Sequence, residues 1–298
     1  MSAIITLTTD FGLQDAYVAS MKGAILTVNS KATIVDISHS IEPQNISQAA
    51  FVIAAACPYF PPDTVHVVVV DPGVGSNRQA VVVKTPVAFF VAPDNGVLTY
   101  AITRALEDAH FVTRGITLDD ATQIEVGEVV EAVSATNRRF WHQAVSPTFH
   151  GRDIFAPVAA HLSLGTPFTE FGDKMKSLCI FPTPYVHSLP DGTLLGTVIH
   201  IDRFGNLVTN IRVSELPKGD IAIQAGKHSI AGLSQYYAEG DGLLATIGSN
   251  NYLEVAVRNG SAQAYLNARI GDEVRVKVTP PEAQPNSKPP PKDTADTP

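Results

Sequence analysis

Three polar residues stand out for what their side chains could do together. Asp71 and Arg78 share the stretch Val70-Asp71-Pro72-Gly73-Val74-Gly75-Ser76-Asn77-Arg78, and His150 lies far downstream in Phe149-His150-Gly151-Arg152-Asp153. A carboxylate, a guanidinium and an imidazole gathered around one point could orient a water molecule and take its proton. The Asp71 stretch also admits a plainer reading. Pro-Gly suits the middle of a type II turn joining two strands, which leaves Asp71 and Arg78 as surface charges. A phosphate cradle fits poorly: no Lys-Ser/Thr follows the glycines, and the strand-like Ala80-Val81-Val82-Val83 stands where a dinucleotide fingerprint needs a helix. Taken singly, His150 is an ordinary structural histidine, Asp15 a helix cap and Asn206 a turn residue with positive φ.

The elements that must position these residues change character along the chain. The first half alternates strand and helix: a strand over Ile4 to Thr8, a helix over Asp15 to Asn29 with Val18, Met21, Ile25 and Val28 at helical spacing, and a strand over Thr33 to Ile37. Glu42-Pro43 opens a helix through Ala56. Thr64 to Val70 is a continuous apolar run, the pattern of a strand buried on both faces. Strands at Ala80 to Val83 and Phe89 to Ala92, and helices over Gly96 to Leu106 and Asp153 to Leu162, continue the rhythm. It predicts an α/β domain with a largely parallel central sheet over residues 1–182. In such a sheet ligands bind outside the carboxyl ends of the strands. Asp10, Asp71, Asn95 and the His150 stretch can converge there. Residues 107–137 are harder to place and show a weak helical pattern near their end. Residues 183–192, with Pro184, Pro190 and Gly192, read as a linker. Residues 193–279 hold short strands at Leu194 to Ile201, Leu207 to Val213, Leu243 to Ile247, Tyr252 to Val257 and Glu273 to Val278, separated by turn residues. They predict an all-β C-terminal barrel domain. The proline-rich residues 280–298 read as a disordered tail.

Composition excludes several classes. With 21 basic against 29 acidic residues the net charge is -8, which gives no electrostatic reason to bind nucleic acid or an anionic membrane. No apolar run approaches the ~20 residues of a membrane helix, and Met1-Ser2 leads straight into the first strand without a signal peptide. A cytoplasmic protein is expected. Cys57 and Cys179 match no metal spacing and read as buried small hydrophobes in a reducing compartment. Asn45-Ile46-Ser47 fits a glycosylation pattern that has no meaning in such a setting. Asp10-Phe11-Gly12 and His150-Gly151-Arg152-Asp153 match fragments of protein kinases, but in the wrong order and without the preceding Gly-rich loop.

Read in series, the fragments are far more specific than any one alone. Thr8-Thr9-Asp10-Phe11-Gly12 with Asp15, Val70 to Gly75 with Arg78, Ala92-Pro93-Asp94-Asn95-Gly96, Thr148 to Pro157 and Ile201-Asp202-Arg203-Phe204-Gly205-Asn206 follow in order. The series closely resembles the S-adenosylmethionine (SAM) hydroxide adenosyltransferases, relatives of the SAM-dependent fluorinase and chlorinase, over about residues 3–279. The resemblance implies hydrolysis of SAM to adenosine and L-methionine. It also implies a homotrimer with SAM held between the N-terminal domain of one subunit and the C-terminal domain of its neighbour, with no metal or redox cofactor. Carried over by motif, Asp71, Arg78 and His150 handle water, and Asp10 binds the ribose diol. Asp15, Asp202 and Ser249 hold the methionine moiety, Phe204 and Asn206 contact adenine, and Asn95 lies in a matched turn. Asn250 departs from the pattern, because the halogenating relatives carry Arg there. The residue types suit this chemistry: Arg78 and His150 would hold the water, Asp71 would orient Arg78 and accept a hydrogen bond from water or His150, and the Arg78 charge would keep His150 neutral and able to accept a proton, with the group that takes the water proton left open. A halide adenosyltransferase, a nucleotide phosphohydrolase and a non-catalytic SAM- or adenosine-binding regulator are the alternatives.

Overall fold

A computed structural model of the chain describes residues 3–109 and 122–279. The proline-rich tail, residues 280–298, and residues 110–121 of the segment that was hard to place lie outside the described residues. The chain divides into two compact units, Met1–Pro184 and Tyr185–Pro298.

In the first unit the strands are β1 (Ile4–Thr9), β2 (Thr33–Ser38), β3 (Thr64–Val69), β4 (Ala80–Lys84), β5 (Ala88–Pro93), β6 (Gln123–Glu125), β7 (Glu131–Ser134) and β8 (Ser177–Cys179), and the helices are α1 (Tyr17–Val28), α2 (Ile46–Ala56), α3 (Thr99–Asp108) and α4 (Ala156–Ser163). The central sheet has the order β2-β1-β3-β5-β4-β7. β1 pairs in parallel with β2 and β3, and β3 with β5, while β4 runs antiparallel to both β5 and β7. The largely parallel sheet expected from the β-α rhythm is therefore present. Two apolar layers cover it. Val65, Val67 and Val69 of β3 pack with Met21 and Ile25 of α1 and Val158 of α4, whereas Val68 and Val70 pack on the other face with Ile53 of α2 and Ile102 of α3. That two-sided burial is what the unbroken apolar run of β3 encodes.

Three sequence expectations are corrected. β3 and β4 are not neighbours, because β5 lies between them, so the Asp71–Arg78 stretch is no simple hairpin loop but a link that passes over the end of β5. α2 starts at Ile46 rather than Glu42, because the Asn45 side chain accepts the Gln48 N–H as an N-cap and Gln44 takes a φ of 67°. This cap is the role of Asn45 in the glycosylation-like pattern. The weak helical pattern near residue 137 is instead strand β7 on the sheet edge, and β6 pairs with β8.

The second unit contains β9 (His187–Ser188), β10 (Leu194–Ile201), β11 (Leu207–Arg212), β12 (Ile221–Ala225), β13 (His228–Ala231), β14 (Leu243–Ile247), β15 (Tyr252–Val257), β16 (Glu273–Val278) and the short helix α5 (Ala262–Leu266). β9 falls within the stretch read as a linker. All pairings are antiparallel, in the order β13-β12-β16-β10-β11-β15-β14, with β9 beside β10. The sheet curls nearly closed: Ser234, just past β13, donates its N–H to Ala245 and accepts the Thr246 hydroxyl, both on β14. Val198, Ile211, Ile223, Leu253, Val255 and Val276 fill the interior. This is the barrel-like all-β domain expected. Among the described residues no helix is long and apolar enough to cross a membrane.

Candidate active site

Strand register brings the first group of polar residues to one edge. Thr9 of β1 lies opposite Val69 of β3, Val67 opposite Val91 of β5, and Ala80 of β4 opposite Pro93 of β5. Asp10, Asp71 and Asn95 follow the carboxyl ends of β1, β3 and β5, and Arg78 precedes the amino end of the antiparallel β4. All four therefore leave the sheet on the same side. The Asn95 amide braces this edge: its Nδ2 donates to the Val70 carbonyl at 2.9 Å and its Oδ1 accepts from Val97 N–H at 3.1 Å.

The Asp71 turn is built to bring its two charges together. Val74 N–H closes on the Asp71 carbonyl and Ser76 N–H on the Gly73 carbonyl. The left-handed residue is Gly75, with φ 78°, and not Gly73, so the Pro-Gly pair does not form the type II turn that the sequence suggested. A Cβ on Gly75 would sit 2.7 Å from the Pro147 carbonyl oxygen. The missing side chain lets this link lie against the loop that carries His150.

There the three groups meet. Arg78 Nε donates to both Asp71 carboxylate oxygens, at 3.0 and 2.9 Å, and Arg78 Nη2 donates to Asp71 Oδ2 as well. Arg78 Nη2 also lies 2.7 Å from His150 Nδ1. Guanidinium has only hydrogens to offer, so Nδ1 must be the acceptor, and the proton of the neutral ring sits on Nε2. The Asp71 and Arg78 side chains are only 5 % and 10 % exposed, and the guanidinium lies over the Phe155 ring. Burial, and next the Arg78 charge, hold the His150 pKa below the ordinary imidazole value, against the opposing pull of Asp71 and Asp153. The direction is the one expected, although burial and not Arg78 is the larger cause.

Asp71 and His150 face a cleft of about 630 Å³ that Asp10, Phe11, Tyr17, Gln44 and Phe149 also line. Asp10 Oδ2 accepts the Gln44 N–H at 2.8 Å, which explains the unusual backbone of Gln44 and leaves the carboxylate with spare acceptor capacity. Phe11, Tyr17 and Phe149 form an aromatic cluster with centroids 5.1 to 5.8 Å apart, in which Phe149 meets each of the other two rings edge-to-face. Sequence reasoning assigned no role to these rings, although Phe11 and Phe149 adjoin Asp10 and His150. Asp15 is exposed just before α1 and does not cap it, since Ala16 occupies the cap position without a side-chain bond.

The remaining candidates belong to the second unit. Asp202 organises the β10–β11 turn: Oδ1 accepts Phe204 N–H and Asn206 N–H, and Oδ2 accepts Asn206 Nδ2, all at 2.9 Å. Gly205 has φ 82° and lies so close to Ser261 that no side chain fits, which leaves Phe204 at the tip, 78 % exposed. Ser249 is exposed in the turn between β14 and β15. Sequence reasoning missed Glu254, buried on β15, whose carboxylate accepts the Tyr237 hydroxyl at 2.8 Å. Burial, then the Glu254 contact, push Tyr237 up to about 12, and burial raises Glu254. A charge amid the apolar residues of β15 was the available signal. Cys57 and Cys179, expected to be buried, are half-buried free thiols. Burial pushes both up to about 11, helped at Cys179 by Asp94. Among the described residues no group of three His, Cys, Asp or Glu side chains is gathered so as to hold a metal ion.

Both units of the chain are similar to known proteins. Residues 5–172 match the SAM hydroxide adenosyltransferase N-terminal domain, and residues 196–275 match the corresponding C-terminal domain. The chain is 35 % identical over 277 residues to the (R)-S-adenosyl-L-methionine hydrolase of Salinispora arenicola (strain CNS-205), covering 91 % of this chain and 97 % of that protein. A crystal structure of an uncharacterized conserved protein from Thermotoga maritima superimposes with a TM-score of 0.77 at 35 % identity, covering 91 % of this chain and 99 % of that one. A fluorinase from Actinoplanes sp. (strain N902-109) is more distant, 28 % identical over 74 % of this chain and 76 % of its own.

Proposed function

This chain belongs to the SAM hydroxide adenosyltransferase family, and on that premise we propose that it hydrolyses SAM to adenosine and L-methionine by in-line attack of water on C5′, with Asp71, Arg78 and His150 handling the water. The observation that carries the residue roles is the continuous Asp71–Arg78–His150 contact at the wall of the cleft.

The substrate makes the task narrow. SAM carries a sulfonium, so methionine departs as a neutral thioether and needs neither a general acid nor a Lewis acid. Water is a weak nucleophile and must lie about 3 Å behind C5′, which orientation alone assists by several kcal/mol. As the C–O bond forms, the C–S bond breaks and the bonding pair returns to sulfur. One water proton must leave. His150 is neutral with Nδ1 engaged by Arg78, so it serves as an Nε2–H donor that fixes the water oxygen. The proton passes to the Asp71 carboxylate and then to solvent. Of the three groups, Asp71 is thus the one proposed to take the proton. Arg78 holds both partners in place and stays charged throughout.

Binding polarity fits the same substrate. Asp10 accepts the two ribose hydroxyls. Asp15, Asp202 and Ser249 hold the methionine moiety, whose sulfonium and ammonium are cations. Phe204 offers an aromatic face to adenine and Asn206 an amide. Asn95 acts at one remove, through the Val70 carbonyl beside Asp71. A homotrimer with the site at a subunit interface, a cytoplasmic setting and independence of metals or other cofactors belong to the proposal and rest on the family resemblance.

The test is incubation of the purified full chain with SAM, as both sulfonium epimers because the Salinispora relative's name specifies (R). Products are read by mass spectrometry, with and without fluoride or chloride and after EDTA treatment. Adenosine and methionine, unaffected by halide or EDTA, are expected. A halogenated adenosine would make it a halide transferase, and binding without turnover would make it a regulator. Light scattering of the same sample tests the trimer, which a monomer would overturn.

A further inference from the structure

Asp153 is a carboxylate with 0 % exposure, and the reaction as described gives it no task. It sits in a single π-type turn over Gly151–Phe155, in which Ala156 N–H reaches back to the Gly151 carbonyl before α4 begins. Such turns insert one extra residue and occur often at functional sites. The residue ties down the whole loop that carries His150. Its Oδ2 accepts Ser146 N–H at 2.9 Å, its backbone carbonyl accepts His142 N–H at 2.8 Å, and its own N–H donates to the Phe149 carbonyl at 3.2 Å. Arg152 covers the remaining charge, with Nε on Oδ1 at 2.6 Å and Nη2 on Oδ2 at 2.9 Å, and lies over the Phe149 ring in the cleft wall. Three segments, 142–149, His150 and the start of α4, are thus held to one buried side chain and its backbone. A burial this deep is costly for a carboxylate unless its bonds do something that an apolar residue could not.

We propose that Asp153 is the positioning residue of His150: it sets the 142–150 loop so that Nδ1 meets Arg78 and Nε2–H faces the cleft. This rests on the reading of His150 as a water-holding group, but it makes its own prediction about where the ring sits. Asp153 touches neither substrate nor water, and acts through the loop.

The experiment uses the full chain with Asp153→Asn. The side chain keeps its shape and one acceptor oxygen but loses the charge that holds Arg152. Three quantities are read together: turnover of SAM, adenosine affinity by calorimetry, and the His150 ring nitrogens by 15N NMR, assigned by their loss in His150→Gln. In the wild type, Nδ1 should show as a hydrogen-bonded acceptor and Nε2 as protonated. In the variant that pattern should be lost, with kcat down by at least about tenfold while KM and adenosine affinity stay within about threefold. Should Asp153→Asn not fold, as judged by circular dichroism, the double change Asp153→Ala with Arg152→Gln removes both charges and leaves neither unpaired, and the same outcome is expected. Wild-type His150 resonances and wild-type kcat in the folded variant would overturn the proposal. So would a loss of activity that only follows loss of folded protein, with the ring unchanged. Should the wild type fail to hydrolyse SAM, the function proposed above fails, while the His150 spectra still decide the positioning.

Discussion

Arg78 Nη2 stands 2.7 Å from His150 Nδ1, and the same guanidinium nitrogen also donates to Asp71 Oδ2. One nitrogen thus joins the carboxylate to the imidazole, and its charge fixes which ring nitrogen is bare. Nε2, the nitrogen left to carry the proton, is the one proposed to face the water.

That assignment separates two substitutions usually treated alike. Gln places an amide nitrogen near the position of Nε2, whereas Asn reaches only as far as Nδ1. His150→Gln should retain a measurable part of the turnover, and His150→Asn or His150→Ala should lose about 10²- to 10³-fold, the usual cost of removing one preorganised donor. Arg78→Lys should fall as far, because an ammonium cannot make the forked contact with Asp71 and reach His150 at once. Steady-state kinetics on the variants checks this. Equal activity in the Gln and Ala forms of residue 150 would remove the donor role.

Asp10 is expected to act in binding and not in the chemical step. Asp10→Ala should weaken adenosine as well as SAM by at least about 10- to 100-fold, the worth of even one of its two hydrogen bonds, since a hydrogen bond to a charged group contributes roughly 1.5–3 kcal/mol. Calorimetry with adenosine alone is the check, and unchanged affinity would remove Asp10 from the ribose.

How far the site could be read from the sequence follows from what sequence order encodes. The unbroken apolar run of β3 marks a strand buried on both faces and the helical spacing of α1 marks its buried face, so the core of the first unit was legible. Strand order is not periodic, and nothing between Val70 and Ala80 announces that β5 slots between β3 and β4. Asn45 competes for the start of α2 by a side-chain bond that a helical pattern does not reveal. β12 and β13 were missed because they are short and because His228 and Ser229 are exposed, which dilutes the alternation. Asp153 read as one more charge near a helix start; its burial depends on a loop folding back from residue 142. Asp10, Asp71 and His150 were legible as residues, whereas the Nδ1 contact that decides the role of His150 is a distance between side chains that no spacing predicts.

Gly75 supplies the third prediction. Its φ of 78° costs an L-residue roughly 1–2 kcal/mol, and a Cβ would also press on the Pro147 carbonyl at 2.7 Å. Gly192 is the control, with φ 79° but nothing within 4 Å of the added atom. Gly75→Ala should lower both stability and kcat, because the Asp71 turn and the His150 loop must part. Gly192→Ala should lower stability alone. Similar kcat in the two variants would show that contact between the two loops is not what aligns the site.

The last prediction concerns pH and the buried His66. Its Nδ1 bonds the Thr6 hydroxyl at 2.7 Å, and its ring packs between Phe60 and Phe90. Nε2 has no partner among the described residues. Burial lowers its pKa from 6.5 to about 4. Below pH 6.5 the unfolded chain binds a proton at this residue that the folded chain refuses, so the unfolded state is favoured progressively as pH falls. The effect levels off below about 4, where both states are protonated. The full difference is about 3 kcal/mol of stability present above pH 6.5 and lost across that window. His161 and His200 are lowered too, mainly by burial, and push in the same direction, so the wild type should lose more than this one share. His66→Asn keeps a polar group at the Nδ1 position for Thr6 but does not titrate. Urea unfolding from pH 7 to pH 4 should therefore show the stability gap between wild type and variant shifting by about 3 kcal/mol in favour of the variant. Parallel pH profiles would mean that the folded protein accepts a proton on His66 as readily as the unfolded chain does.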